Sequence, residues 1–300
     1  MLFLKKFIFY IFLLSFSLLA SSIFSKQKSL IPSDNTNPKV LILIIASDNF
    51  PGIDLTFPYP ELKKIWRSYM HTCPDNIEAY FIQGDPNLSS PYEIQEDIIW
   101  CKTEENVIPG ILNKTILSIE CMLPRLHEFN YVIRTNLSSF YVFPRLLSFL
   151  KTLPQHGCYS GYPLLPHNYH GEKLVFGHGC GFIMSSDVAA YLVEHQDTLK
   201  KITYVEEFND DINIGYFFKK SGIQLIPAPL TWLETSSHWK KYKKNKSKND
   251  FHFRVKHQDH ELRSTFDIFI MQSLLKEFYG LSLPGDNPME KDILERAELK

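Results

Sequence analysis

Apolar residues run without a break from Val40 to Ala46 inside Lys39-Val-Leu-Ile-Leu-Ile-Ile-Ala-Ser47. Such a run predicts a strand covered on both faces, as in a parallel sheet. The helical stretch Pro60 to His71 and a second strand, Glu78-Ala-Tyr-Phe-Ile-Gln83, complete a βαβ unit. After a polar linker come the apolar segment Glu96 to Cys101 and a helical run from Ile108 to Leu126. Phe129 to Phe140 reads as a buried strand ending in a polar cluster, Pro144 opens a helix to about Leu150, and Cys158 to Tyr162 is a short strand. Pro163 to Lys173 reads as a loop rich in His and Tyr. Phe182 to Met184 is again a strand, with Ser185 or Ser186 capping the helix after it.

Tyr204 to Gly222 predicts an amphipathic helix with two adjacent carboxylates at its start. Asn209 or Asp210 caps it, Ile212, Gly215, Tyr216 and Phe218 form its packed face, and Gly222 ends it in the left-handed conformation. Asp211 then lies in the first turn, where the positive end of the helix dipole favours an ionised group able to accept a proton. The plain alternative is that both acids only cap. Gln224 to Pro229 and Phe251 to His257 follow, separated by the basic run Trp239 to Lys248, and a terminal helix covers Ser264 to Tyr279. The basic run is either a solvated loop or a mobile flap that meets phosphates or lipid headgroups.

The N-terminus has a different pattern. Lys5 and Lys6 precede an apolar run from Phe7 to Phe24 of about one membrane span. They imply a cytoplasmic N-terminus with the remainder translocated. Leu19-Ala-Ser-Ser22 is a weak cleavage site, so residues 1 to 25 read as an uncleaved signal anchor in preference to a removed signal peptide. Residues 26 to 38 read as a stem and residues 39 to 300 as one α/β domain with a mainly parallel central sheet flanked by helices.

Composition narrows the classes. Acidic and basic residues nearly cancel, 33 against 32, which gives no global field for nucleic acid. Five widely spaced cysteines with no CxxC speak against zinc and against a complete disulfide framework, leaving room for one or two bridges. No GxSxG is present, and two adjacent acids on one helix point different ways, which excludes the commonest hydrolase arrangements. Sequons occur at Asn87, Asn113, Asn136 and Asn245. Gly177, Gly179 and Gly181 fall within five residues and leave the backbone open to close approach by a ligand.

Four pieces, in order between about Lys39 and Pro229, resemble the β-1,3-galactosyltransferase and Fringe group of glycosyltransferases. They are Ile65-Trp66-Arg67 with Tyr69; Tyr131-Val-Ile-Arg-Thr-Asn-Leu-Ser-Ser-Phe140; Phe176-Gly-His-Gly-Cys-Gly-Phe-Ile-Met-Ser185; and Asp210-Asp-Ile-Asn-Ile-Gly215 with Lys219-Lys-Ser-Gly-Ile223. The last two are the more specific. The resemblance implies a GT-A-like fold and a membrane-anchored enzyme on the translocated side: in the Golgi or ER lumen of a eukaryote, in the cell envelope of a bacterium, or secreted if the N-terminus is cleaved. It implies inverting transfer of a hexose or N-acetylhexosamine from a nucleotide-diphosphate sugar, UDP first among the carriers, to a glycan or glycoconjugate hydroxyl.

Asp211 would be the base, and Asp210, His178 and Gly179 would touch acceptor or donor. Ser47, Asp48, Arg134, Asn136 and Ser138 would bind the donor. Trp66 reads as core. The family's acidic motif binds a divalent metal that holds the donor diphosphate, yet Asn136, Leu137 and Ser138 stand in its place without a carboxylate. That absence argues against Mn²⁺ or Mg²⁺ and leaves no cofactor fixed by the sequence. His252 and His257 also lack carboxylate partners for a metal. Other groups must then meet the leaving diphosphate: Arg134, His178, the lysine run, or Arg254, Lys256 and His257. The alternative is a glycan-binding or scaffolding protein that kept the fold and lost turnover.

Overall fold

The chain's structure is a computed structural model that describes residues 37–47, 57–164, 167–169, 171–206, 209–283, 292–294 and 297. The apolar run assigned to a signal anchor, nearly all of the stem, and Asp48 lie outside the described residues. Among those described, no helix is long and apolar enough to cross a membrane.

The uninterrupted apolar run becomes β1 (Val40–Ile45), the centre of the main sheet. Its alternate residues face two different layers. Val40, Ile42 and Ile44 pack with Trp66 of α1 (Tyr59–Tyr69) and with residues of two helices further along the chain, while Leu41 and Leu43 pack on the opposite face. The chain leaves β1 through α1 to β2 (Ile77–Gly84), then makes β3 (Tyr92–Gln95) and β4 (Ile98–Cys101) at one edge. It returns through α2 (Gly110–Met122) to β5 (Tyr131–Asn136) on the other side of β1. That reversal makes a topological switch point at the carboxyl ends of β1 and β5, the position at which open α/β sheets bind ligands.

β6 (Ser139–Tyr141), α3 (Phe143–Leu150) and β7 (Tyr159–Pro163) come next, then β8 (His167–Tyr169), β9 (Glu172–Leu174) and β10 (Gly177–Ser185). After α4 (Ser186–Glu194), α5 (Gln196–Glu206) and α6 (Asp210–Lys220) the chain forms β11 (Leu225–Pro227) and β12 (Thr231–Trp232). It ends with α7 (Ser236–Lys244), β13 (His252–Arg254) and α8 (Arg263–Tyr279). The main sheet has eight strands in the order β11-β7-β10-β5-β1-β2-β4-β3. β10 and β3 run against the other strands, which are parallel to one another. α1, α3 and α8 cover one face and α2, α4 and α6 the other. A second sheet, β12-β13-β6, sits beyond the end of β5.

Several expectations change. The segment read as a loop from Pro163 to Lys173 contains the β8–β9 hairpin, with Gly171 at φ 74° in its turn. Its Tyr169 and Leu174 are buried with Phe176 against the partly buried Ile212 and Tyr216 of α6. α6 therefore packs on two sides, since Ile214, Phe217 and Phe218 enter the main core. Its C-terminal end is as expected: Gly222 has φ 79° and the Ile223 N–H reaches the Phe218 carbonyl at 2.8 Å. Its N-terminal end is not, because the Asn209 side chain makes no capping bond. Neither serine caps α4, since Ser185 Oγ accepts from the Cys158 N–H and Ser186 Oγ donates to the Phe129 carbonyl.

The basic run is helical as far as Lys244, and only its last four residues, Asn245 to Lys248, form the expected loop. Thr235 caps α7 by accepting from His238 N–H at 3.1 Å, Trp239 and Tyr242 are buried, and Lys246 pairs with Glu277 at 2.7 Å. No cysteine among the described residues is bridged.

Gly215 is where α6 crosses the hairpin, and a Cβ there would lie 2.4 Å from Phe176 Cβ. Alanine gains about 1 kcal/mol of helix propensity, but the contact lies against a Cβ that cannot swing aside. Gly215→Ala is expected to lower stability by about 1 to 3 kcal/mol. An unchanged or raised urea midpoint would contradict this packing.

Candidate functional site

β5 ends in Arg134, Thr135 and Asn136, and period-two alternation puts Arg134 and Asn136 on the same side of the sheet. The buried Arg134 donates to the Gly179 carbonyl at 2.5 Å and forms an ion pair with Asp210 of α6. Its guanidinium also lies 5.3 Å from the Phe182 ring centre. The first turn of α6 is thereby held at the carboxyl edge of the sheet.

Asp211, 9% exposed, follows directly. Its Oδ2 accepts from the Gly179 N–H at 2.7 Å and its Oδ1 from the Ile212 N–H at 2.9 Å. Burial pushes the carboxyl up to about 6, with Asp210 adding to the rise and Arg134 and the two N–H groups opposing it. Each oxygen keeps a lone pair for a further donor.

The glycines serve a different purpose from the one expected. A Cβ on Gly179 would meet Asp211 Oδ2 at 2.7 Å, one on Gly181 the Tyr141 hydroxyl at 2.2 Å, and one on Gly177 the Tyr159 hydroxyl at 3.1 Å. The space over this strand is filled by the protein's own side chains, not left for a ligand. Gly179 is required so that Asp211 can reach the backbone.

Asn136 joins this acidic side to a cationic one. Its Nδ2 donates to the Gly179 carbonyl at 3.3 Å while its Oδ1 accepts from Arg254 Nη1 at 2.8 Å. The register of β13 against β6 sets this up by placing Arg254 opposite Ser139. Two residues along, Ser138 Oγ accepts from Arg263 Nη2 at 3.1 Å. Between them, Leu137 is buried and its carbonyl accepts from Trp66 Nε1 at 3.2 Å. Trp66 is core, as its sequence context implies, and it also holds this turn.

Lys256 lies near both arginines. Burial and the charges of Arg254 and Arg263 lower its pKa. The Arg254 pKa is lowered by burial, with Arg263 contributing. Ser47, at the tip of β1, is buried with its hydroxyl unpartnered. Beneath it Lys114, also buried, donates to the Ala46 carbonyl at 3.0 Å and to Glu105 at 2.7 Å.

His178 accepts from the Cys180 N–H through Nδ1 at 2.9 Å and stands edge-on to Trp232. Burial, Arg254, Arg134 and Lys256 push it down to about 4, so it is neutral at pH 7. His257 points elsewhere. Its ring meets Phe266 and accepts from the Asp259 N–H at 3.0 Å, and the His257 backbone N–H donates to Asp267 Oδ1 at 2.7 Å. The structure thus assembles Arg134, Asn136, Ser138, His178, Gly179, Asp210, Asp211, Arg254 and Lys256, and does not bring in His257. Arg263 and Lys114 escaped sequence reasoning. The one available signal for Arg263 was its i,i+4 spacing to Asp267, which it meets at 2.9 Å.

A divalent cation does not fit the turn Asn136 to Ser138. The Asn136 oxygen and the Ser138 hydroxyl already accept from arginines, and guanidinium charge surrounds the place a cation would take. Among the described residues no group of three His, Cys, Asp or Glu side chains could hold a metal ion.

No protein-family model matches the chain, and no curated protein matches it in sequence. Among solved structures it is similar to a glycosyltransferase involved in the glycosylation of the major capsid of PBCV-1, at 11% identity and a TM-score of 0.45, covering 76% of this chain and 98% of that one. It is also similar to the Francisella tularensis 2-C-methyl-D-erythritol 4-phosphate cytidylyltransferase (IspD), at 10% identity and a TM-score of 0.37, covering 64% of this chain and 91% of that one.

Arg134→Met would strand Asp210 and is expected to cost about 3 to 5 kcal/mol. The double variant Arg134→Met/Asp210→Asn should recover part of that in chemical denaturation. Equal losses in the single and double variants would show that the pair does not hold α6 in place.

Proposed function

We propose that the chain is an inverting glycosyltransferase of GT-A type. It moves a hexose or N-acetylhexosamine from a nucleotide-diphosphate sugar, with UDP the first carrier to test, to a glycan hydroxyl. The observation that carries this reading is the Asp211 carboxylate held at the carboxyl edge of a mainly parallel sheet, on the side where the strand order reverses.

The chemistry follows from the charges. An acceptor hydroxyl oxygen attacks the anomeric carbon from the side opposite the diphosphate. Its proton passes to Asp211, the new C–O bond forms, and the old one breaks with its electron pair staying on the diphosphate, so the configuration inverts. A carboxyl held at about 6 is mostly ionised at pH 7 yet basic enough to take the proton as the oxygen bonds. Cys180, whose thiol burial pushes up to about 12, offers no competing nucleophile. The N-terminal apolar run would anchor the domain to a membrane on its translocated side.

A glycan-binding or scaffolding role is the second reading. It is favoured by the turn Asn136 to Ser138, whose polar side chains are engaged by the protein itself.

A donor screen by nucleotide release, with and without Mn²⁺, separates the two. Asp211→Asn is expected to reduce transfer at least a hundredfold while the chain still binds UDP. Binding without turnover for the unaltered chain would favour the scaffold.

The pH dependence has a definite sign. Asp211 acts in its ionised form, so kcat/KM falls about tenfold per unit on the acid side of pH about 6. His178→Gln should leave that limb in place, because His178 is held down to about 4. A limb that disappears with His178 would reassign the base.

A further inference from the structure

Three buried guanidinium groups at this site have N–H atoms with no partner among the described residues: Nε of Arg134, Nε of Arg254 and Nη1 of Arg263. Buried donors are nearly always satisfied, and an unpaired one costs about 1 to 3 kcal/mol, more when charged. Arg134 is paired to Asp210 and belongs to the acidic side. Arg254 and Arg263 differ, because they reach the same turn from two elements and approach it two residues apart, at Asn136 and Ser138. They are 7% and 2% exposed.

Each arginine is held from behind. Arg263 is locked by Asp267 and lies 4.3 Å over the Phe57 ring, and Arg254 follows from the register of β13 against β6. Lys256 follows directly on Val255, whose N–H donates to the Ser138 carbonyl at 2.8 Å, so its half-buried side chain leaves the chain at this same turn. The Ser47 hydroxyl, just beyond the end of β1, also lacks a partner among the described residues. Like charges held together with free donors form a site for a polyvalent anion.

We infer that Arg254, Arg263 and Lys256 form a metal-independent site for the diphosphate of a nucleoside diphosphate. The free Nε of Arg254 and Nη1 of Arg263 donate to phosphoryl oxygens, and Lys256 adds a third positive charge. As the bond from the anomeric carbon to the diphosphate breaks, its electron pair adds charge to the leaving oxygen, and these fixed cations stabilise it. The inference deepens the transferase reading, on which it rests for the sugar that the diphosphate carries.

Calorimetric titration of the full chain in EDTA tests it, with inorganic pyrophosphate, UDP, UMP and uridine as probes. UDP and pyrophosphate are expected to bind, UMP at least tenfold more weakly than UDP, and added Mn²⁺ to bring no gain. Arg254→Gln and Lys256→Met should each weaken pyrophosphate at least tenfold, with Arg254→Lys recovering part. Urea midpoints identify any variant that has lost its fold. Lys256→Met, a change outside any ion pair or hydrogen bond found among the described residues, keeps the test open if Arg254→Gln unfolds.

Pyrophosphate binding that appears only with Mn²⁺, or that is equal in folded variants and the unaltered chain, would overturn the inference. Pyrophosphate bound in EDTA by a chain that releases nucleotide from no donor would leave this site standing and remove the transferase. Transfer strictly dependent on Mn²⁺ would remove this site and leave the transferase.

Discussion

The guanidinium of Arg134 holds together three segments far apart in the chain. From β5 it reaches the Gly179 carbonyl on β10 and the Asp210 carboxylate at the start of α6. Neither charge could be buried alone without a penalty of several kcal/mol. The pairing therefore fixes where the helix begins against the sheet, and Asp211 is placed by being next in sequence. Gly179 completes the arrangement by having no side chain, since any Cβ would occupy the space of the Asp211 carboxylate.

Asn136 shows why an amide suits this turn better than an acid. One end must donate, to the Gly179 carbonyl, and the other must accept, from Arg254. An amide has one group of each kind, whereas an ionised carboxylate only accepts and would face the carbonyl with two like dipoles. The turn is thus matched by its surroundings: arginines approach from β13 and α8, and the Trp66 indole fixes the carbonyl between them.

Much of this was legible in the residues. The apolar run of β1, the strand leading into Asn136, the glycine-bearing strand and the helix with paired acids and a left-handed glycine all carry local signals that physical rules decode. The β8–β9 hairpin carried none, since its two strands are three residues each and its burial comes from Tyr169 meeting Tyr216 edge-on, on a helix far along the chain. α7 was hidden by its own lysines, because two aromatic residues among many charges decide its burial. The glycine strand was misread in purpose. Sequence shows that side chains are missing there, and only three-dimensional contacts show what fills the gap. Arg263 was silent for a related reason: a cation in the first turn of a helix looks surface-bound until Asp267 and Ser138 converge on it.

The pairing of β6 with β13 also bears on how the protein is made. A ribosome delivers Asn136, Gly179 and both acids of α6 well before Arg254 and Arg263. A nascent chain halted after β11 could assemble the helix-and-glycine contact, yet its turn would face solvent with no cation against it. The cationic side of this turn, on this architecture, arrives with the last quarter of translation, and a C-terminal truncation would resemble an intermediate of synthesis more than a smaller version of the fold.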